Sequence, residues 1–286
     1  MSEIERYIAP QAVVEAVKAM AAGPVTILAG GTDLTPQINE GRRKHAATLM
    51  NIQRLEGLKD ISLVDGEIRI GTLVTVTEIR YNALLTESAT ILCDTANCFA
   101  SEQIRNAATI GGNICNASPA GDMIIPLLVL GASVELTSWK DDALFVRREA
   151  MKDFFKSPGK TTRQDNELLT AVIFDKPSAD FVGKFRKSGP RPALEISTVT
   201  VGIGGDLKDG VFKNVRVAFG AVGPTPMRGT ATEAALEGQS LNKDVIQAAT
   251  EAARKDATPI DDIRATTWYR DHLIGVFTEE LLNNVC

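Results

Sequence analysis

At 286 residues the chain has length for two compact domains with separate cores. Its 44% hydrophobic and 23% charged residues suit a globular protein, and a net charge of -5 argues against nucleic-acid binding through a basic surface. The start MSEIERYIAP lacks the basic leader and apolar core of a secretory signal, and no run reaches the roughly 20 apolar residues that span a bilayer, so a cytoplasmic protein with no membrane span is expected.

In chain order, PQAVVEAVKAMAA (10–22) spaces its apolar residues helically behind a proline and predicts a helix. PVTILAGG then predicts a short buried strand ending in a glycine turn, and ATLMNI a second strand, so the first 55 residues or so form a small α/β unit. Asp65 and Gly66 separate two alternating runs and signal a hairpin. Helices are expected over 77–85 and 90–99, a strand and turn in ATIGGNICN, a buried helix over 122–130, and strands in ASVELTS and ELLTAVIFD. The segment 178–192, with its glycines, prolines and basic residues, reads as a connection between lobes. Beyond it lie two long alternating strands, EISTVTVGIGGDL and GVFKNVRVAFGAVGPTPMR, joined at Asp209 and Gly210. Helices over 242–254 and 263–282 close the chain.

The four cysteines, Cys93, Cys98, Cys115 and Cys286, form no C-x-x-C pair, and only two histidines accompany them. Closely spaced soft ligands are missing, so buried reduced thiols and no metal site are expected. No acid–base or nucleophilic constellation stands out, and no catalytic residue is assigned.

Two double glycines remain. Glycine admits positive φ and has no side chain, so consecutive N–H groups can converge on one anion. AGGTDL offers Gly30 and Gly31 with the Thr32 hydroxyl, and TIGGN offers Gly111 and Gly112 between Thr109 and Asn113. A single pair makes a common turn; two with matching polar flanks, each leaving a predicted strand, could hold a diphosphate from both sides. Neither fits G-x-G-x-x-G or G-x-x-x-x-G-K-[ST], which disfavours a Rossmann site or a P-loop. On the residues alone, Asp122 reads as a helix N-cap, Phe99 as a core aromatic and Lys187 as a solvated charge.

ILAGGTDL, CFASEQIRNAATIGGNICNASPAGD and KFRKSGPRPALEIS together resemble the FAD-binding subunit or domain of the molybdenum hydroxylases, over essentially the full length. That family includes xanthine dehydrogenase and the molybdenum–copper carbon monoxide dehydrogenases. The resemblance implies an α+β chain: a two-lobed FAD-binding domain of the PCMH type over 1–176, with subdomains of about 1–55 and 56–176, then a C-terminal antiparallel sheet with helices over 177–286. It implies that Ile27, Leu28, Ala29, Gly30, Gly31, Thr32, Asp33 and Leu34 wrap the FAD diphosphate on one side. Thr109, Ile110, Gly111, Gly112 and Asn113 wrap it on the other. Asp122 then meets the sugar-phosphate portion, Phe99 packs near the isoalloxazine, Leu168 or Leu169 lines the flavin and Lys187 approaches the cofactor.

The first loop departs from the carbon monoxide dehydrogenase pattern, which carries histidine and serine after the glycines, and NASPAGD stands closer to xanthine dehydrogenase. The insertion that holds an extra iron–sulfur cluster in 4-hydroxybenzoyl-CoA reductase flavoproteins is absent, and Pro190 and Pro192 around Arg191 differ from animal xanthine dehydrogenases. By the same resemblance, a large molybdopterin-binding subunit and a small 2Fe–2S subunit complete a heterotrimer or its dimer, and electrons reach FAD and then NAD+ or another acceptor. The alternatives are a free-standing flavin oxidase, disfavoured by scarce histidine and a small C-terminal lobe, and an assembly protein that kept the fold without FAD, disfavoured by the intact glycine pairs.

Overall fold

The computed structural model describes residues 4–189 and 195–285. The chain opens with β1 (Arg6–Ile8), α1 (Val13–Ala22), β2 (Val25–Leu28), α2 (Leu34–Asn39) and β3 (Thr48–Asn51). The strands form a parallel sheet of order β1-β3-β2, so the expected α/β unit has a further strand ahead of its helix. Helix α1 turns Ala16, Val17 and Met20 inward at helical spacing, against Met50, Ile52, Leu55 and Leu58.

The next stretch comprises β4 (Ile61–Val64), β5 (Glu67–Gly71), α3 (Val76–Tyr81), α4 (Ala83–Ser88), α5 (Thr90–Cys98), α6 (Glu102–Arg105), α7 (Ile110–Asn116) and α8 (Ile124–Val129). It continues with β6 (Ser133–Lys140), β7 (Ala143–Ala150), α9 (Met151–Phe154), β8 (Phe155–Ser157), β9 (Lys160–Thr161) and β10 (Leu168–Asp175). Five of these strands make an antiparallel sheet of order β4-β5-β10-β6-β7. At its first turn Asp65 and Gly66 both take positive φ, 51° and 85°, which a two-residue hairpin requires. Asp141 and Asp142 make the corresponding turn between β6 and β7, a hairpin the sequence reading lacked because no glycine marks it.

The last part holds β11 (Phe181–Ser188), β12 (Val199–Lys208), β13 (Val211–Gly220), β14 (Met227–Arg228), α10 (Thr230–Leu236), β15 (Gln239–Ser240), α11 (Lys243–Asp256) and α12 (Thr267–Asn283). Strand β11 corrects the expected connection over 178–192: its eight residues pair antiparallel with β12. Its alternation was hidden by Lys184 and Arg186 on one face and Lys187 on the other, where Gly183 lies against Ile91 of α5. Pro190, Arg191 and Pro192 lie outside the described residues. Asn242 and Thr266 cap the two closing helices with their side chains.

Period-two alternation gives β12 two contrasting faces. Val199, Val201 and Ile203 join Phe212, Val217 and Phe219 in a core closed by Ile274 and Phe277 of α12. On the opposite face Gly202 and Gly204, with Gly220 of β13, form a groove for α8. A Cβ on Gly202 would lie 2.8 Å from Ile125 Cγ2, and one on Gly204 2.6 Å from Val129 Cγ1. All six residues of α8 are buried. No described helix is long and apolar enough to cross a membrane.

Candidate cofactor site

Where β2 ends, residues 29–33 loop into α2. Gly31 sits at φ +73°, open to glycine at little steric cost. Gly30 is glycine for another reason: a Cβ there would overlap the Ala107 carbonyl oxygen, so the first glycine loop lies directly on the chain leading into the second. Among the described residues, the N–H groups of Gly30, Gly31, Thr32 and Asp33 donate to no protein acceptor.

The second pair is built differently. The expected strand and turn is instead the start of helix α7: Thr109 is its N-cap, its Oγ1 accepting from Gly112 N at 3.1 Å. Ile110 N donates to Val74 O, Gly111 N to Thr72 O and Asn113 N to Thr109 O, so every amide from 110 to 113 is engaged. Gly111 is required because a Cβ would collide with Thr72 Oγ1. Gly112 is exposed, and a Cβ there would find only Thr109 Oγ1, at 3.0 Å. The amide cradle expected from two sides is therefore one-sided.

A cavity of about 660 Å³ lies between these segments. Its wall includes Ile27, Ala29, Gly30, Gly31, Thr32, Asp33 and Leu34 from the first segment, and Thr109, Gly111, Gly112 and Asn113 from the second. Phe99, Leu168 and Leu169 add apolar surface. Walls desolvate the Asp33 carboxyl and raise its pKa, although more than a third of the residue is exposed. Asn113 Oδ1 is buried and has no partner among the described residues, an acceptor left for a ligand to satisfy. Gln37 Nε2 of α2 donates to Asn116 Oδ1 of α7 at 3.0 Å and ties the two glycine segments together.

Four residues expected at the cofactor lie off this wall. Leu28 is the last residue of β2, and Ile110 is fully buried in the main core. Asp122 and Lys187 instead bond to each other, Nζ to Oδ2 at 2.6 Å, each with under a tenth of its side chain exposed. Asp122 Oδ1 accepts from Ser197 Oγ at 2.5 Å, and Lys187 Nζ also donates to Glu195 O. Burial pushes the Asp122 carboxyl up, and Lys187 and Ser197 pull against it. The N-cap reading of Asp122 is corrected too: Met123 occupies that position, and no side chain caps α8.

The wall also holds residues the sequence reading passed over: Arg43 and Lys44, in a basic run just after the first loop, and Arg163, Asp165 and Asn166 ahead of β10. Cys115 lines it as well, its thiol pushed up by burial and opposed by Arg163 and Arg43. Cys93 is buried as expected, whereas Cys98 is exposed because it ends α5 at the surface; Cys286 lies outside the described residues.

Glu167 holds the 163–167 loop in place. It accepts from Arg147 Nε at 2.5 Å, Arg147 Nη2 at 2.8 Å and Gln164 N at 2.8 Å. Burial raises its pKa, but Arg147 and the Gln164 amide outweigh that and hold it below the usual carboxylate range. A depressed carboxylate adds stability above its unfolded pKa and loses it as pH falls through the folded value. Glu167→Gln is therefore expected to cost about 2 kcal/mol near neutral pH. In acid titrations followed by urea denaturation, the gap between wild type and variant should close as pH falls; a pH-independent gap would remove the assigned charge effect.

The site's features fit a dinucleotide held through its diphosphate: consecutive free amides, open space beside Gly112, an orphaned acceptor on Asn113 and an apolar wall. Comparison with known proteins agrees. Residues 2–177 match the family described as the FAD binding domain in molybdopterin dehydrogenase, and residues 184–285 match the CO dehydrogenase flavoprotein C-terminal domain. The chain is 31% identical over 287 residues to the xanthine dehydrogenase FAD-binding subunit of Escherichia coli O157:H7, covering 99% of this chain and 96% of that one. It is 28% identical over 280 residues to the glyceraldehyde dehydrogenase medium chain of Sulfolobus acidocaldarius, covering 98% and 97%. In fold it matches a chain of the carbon monoxide dehydrogenase from Hydrogenophaga pseudoflava that lacks the Mo-pyranopterin moiety, with a TM-score of 0.93 at 24% identity over 100% of this chain and 99% of that one.

Proposed function

Since the chain belongs to the FAD-binding family of the molybdopterin dehydrogenases, we propose that it serves as the FAD-carrying subunit of a multi-subunit molybdenum hydroxylase and hands electrons on to NAD+ or another acceptor. Its partners are a large molybdopterin-binding subunit, where the organic substrate is oxidised, and a small subunit carrying 2Fe–2S clusters. The three form a heterotrimer or its dimer in the cytoplasm. The observation that carries this reading is the run of unengaged amides at 30–33 facing the cavity.

Bound FAD supplies the redox chemistry, and the chain supplies binding, orientation and exclusion of water. The 30–33 amides donate to the diphosphate, and Gly112 leaves the space it needs. Phe99, Leu168 and Leu169 offer apolar surface to the ring system. Asp122 and Lys187 act by holding the 122 segment against β11 rather than by touching the cofactor.

Purification of the full chain should yield a yellow protein with one releasable FAD per chain. Affinity capture from the native host should bring down one chain containing molybdenum and another containing iron and sulfide. A colourless protein that cannot be reconstituted with FAD would overturn the reading. Flavin without either partner would remove the subunit assignment and leave flavin binding standing.

A further inference from the structure

The amides of 110–113 are spent inside the protein, so of the two glycine segments only the first offers backbone donors to a doubly charged diphosphate in the cavity. We propose that Arg43 and Arg163 supply the missing countercharge on the α7 side, so that FAD is gripped between backbone N–H groups and two guanidinium groups. The inference rests on the reading of the cavity as an FAD site.

Both arginines line the cavity, and they reach it from different segments. Both are also close enough to the Cys115 thiol, three residues beyond Gly112 in α7, to oppose the rise that burial imposes on it. Position follows from the backbone: Arg43 N donates to Gln37 O, and the side chain of the same Gln37 is bonded to Asn116 of α7. The turn carrying Arg43 is thereby tethered to the helix over which it stands.

The guanidinium of Arg43 makes no hydrogen bond or ion pair among the described residues, although its neighbour Arg42 is paired with Glu40. The Arg163 guanidinium spends only Nη1, on the carbonyls of Gln164 and Glu167, and its Nε and Nη2 meet no protein acceptor among the described residues. A guanidinium offers five donors in a fork that matches phosphate oxygens. Asp33 and Asp165, the two carboxylates on the wall, bond to neither arginine. With Lys44 the wall carries, among the described residues, three cations against two carboxylates, a net charge suited to an anion.

Arg43 is the cleaner residue to test, because its side chain is exposed and holds nothing in place. The full chain, stripped of flavin, is titrated with FAD by flavin fluorescence over a series of KCl concentrations. Arg43→Gln is expected to weaken FAD binding by about tenfold to a hundredfold at low salt, the usual range for a charged hydrogen bond. It should also make binding less salt-dependent, since one screened charge is gone. Arg43→Lys keeps the charge and should retain most of the affinity. Wild-type affinity in Arg43→Gln, or an unchanged salt dependence, would overturn the proposal. Failure of the wild-type chain to bind FAD overturns the cofactor reading itself, and this outcome is visible before any variant is made.

Discussion

Gly112→Val yields a protein that folds normally and does not retain FAD. In the first turn of α7 a valine Cβ meets only Thr109 Oγ1, at 3.0 Å, which needs to give by a few tenths of an ångström. Backbone entropy favours the change, because glycine in a helix interior is less favourable than alanine by about 1 kcal/mol and valine recovers part of that. The added methyl groups occupy the open side of Gly112, where the cavity lies. Flavin content should therefore fall below about a tenth of wild type, while melting temperature and circular dichroism of the apo forms agree. If each valine methyl displaced the ligand only slightly, steric exclusion would still cost several times the roughly 1.4 kcal/mol that corresponds to tenfold in affinity. Gly111→Val gives the opposite pattern, since its Cβ collides with Thr72 and the damage is to folding. Full flavin occupancy in Gly112→Val would refute the placement of the diphosphate.

The second large effect concerns Asp122 and Lys187. Removing one member of a buried, hydrogen-bonded ion pair leaves the other uncompensated, at a cost of about 3–5 kcal/mol. Asp122→Asn and Lys187→Met should each lose about that much in denaturant titrations. Replacing both, as Asp122→Leu with Lys187→Met, should restore most of it, because no buried charge then lacks a partner. The double variant also separates the two roles considered for these residues. If it regains stability and keeps its flavin, the pair is structural. If it regains stability and loses flavin, Lys187 or Asp122 reaches the cofactor after all. Losses below about 1 kcal/mol in both single variants would sink the assignment of a buried pair.

Much of the fold could be read from local pattern. The hairpin at Asp65 and Gly66, the long strands around Asp209 and Gly210 and the closing helices each carry their own turn or periodicity. What escaped depended on partners far along the chain. Strand β11 looked like a linker because its exposed face is basic, and only its pairing with β12 makes it a strand. The helix at Ile110–Asn116 was concealed by two glycines, whose presence answers to Thr72 rather than to a turn. At the site, the first glycine loop was legible through Gly31, whose positive φ is a local requirement, whereas the demand on Gly30 comes from the distant Ala107 carbonyl. The bonding of Asp122 to Lys187 and Ser197 was not, since it joins residues from three separate segments. Arg43 drew no notice in the sequence, since nothing local says that Gln37 tethers its turn to α7.

The glycine groove on β12 and β13 also bears on how the protein is made. Helix α8, apolar at all six positions, leaves the ribosome well before the strands that form its seat have been synthesised. Until then it is a sticky surface on a nascent chain, with nothing native to cover the side facing the missing groove. Completion of the first half therefore waits on the second. A chain stopped after β10 should be captured by chaperones or aggregate rather than accumulate as a free-standing flavin-binding fragment.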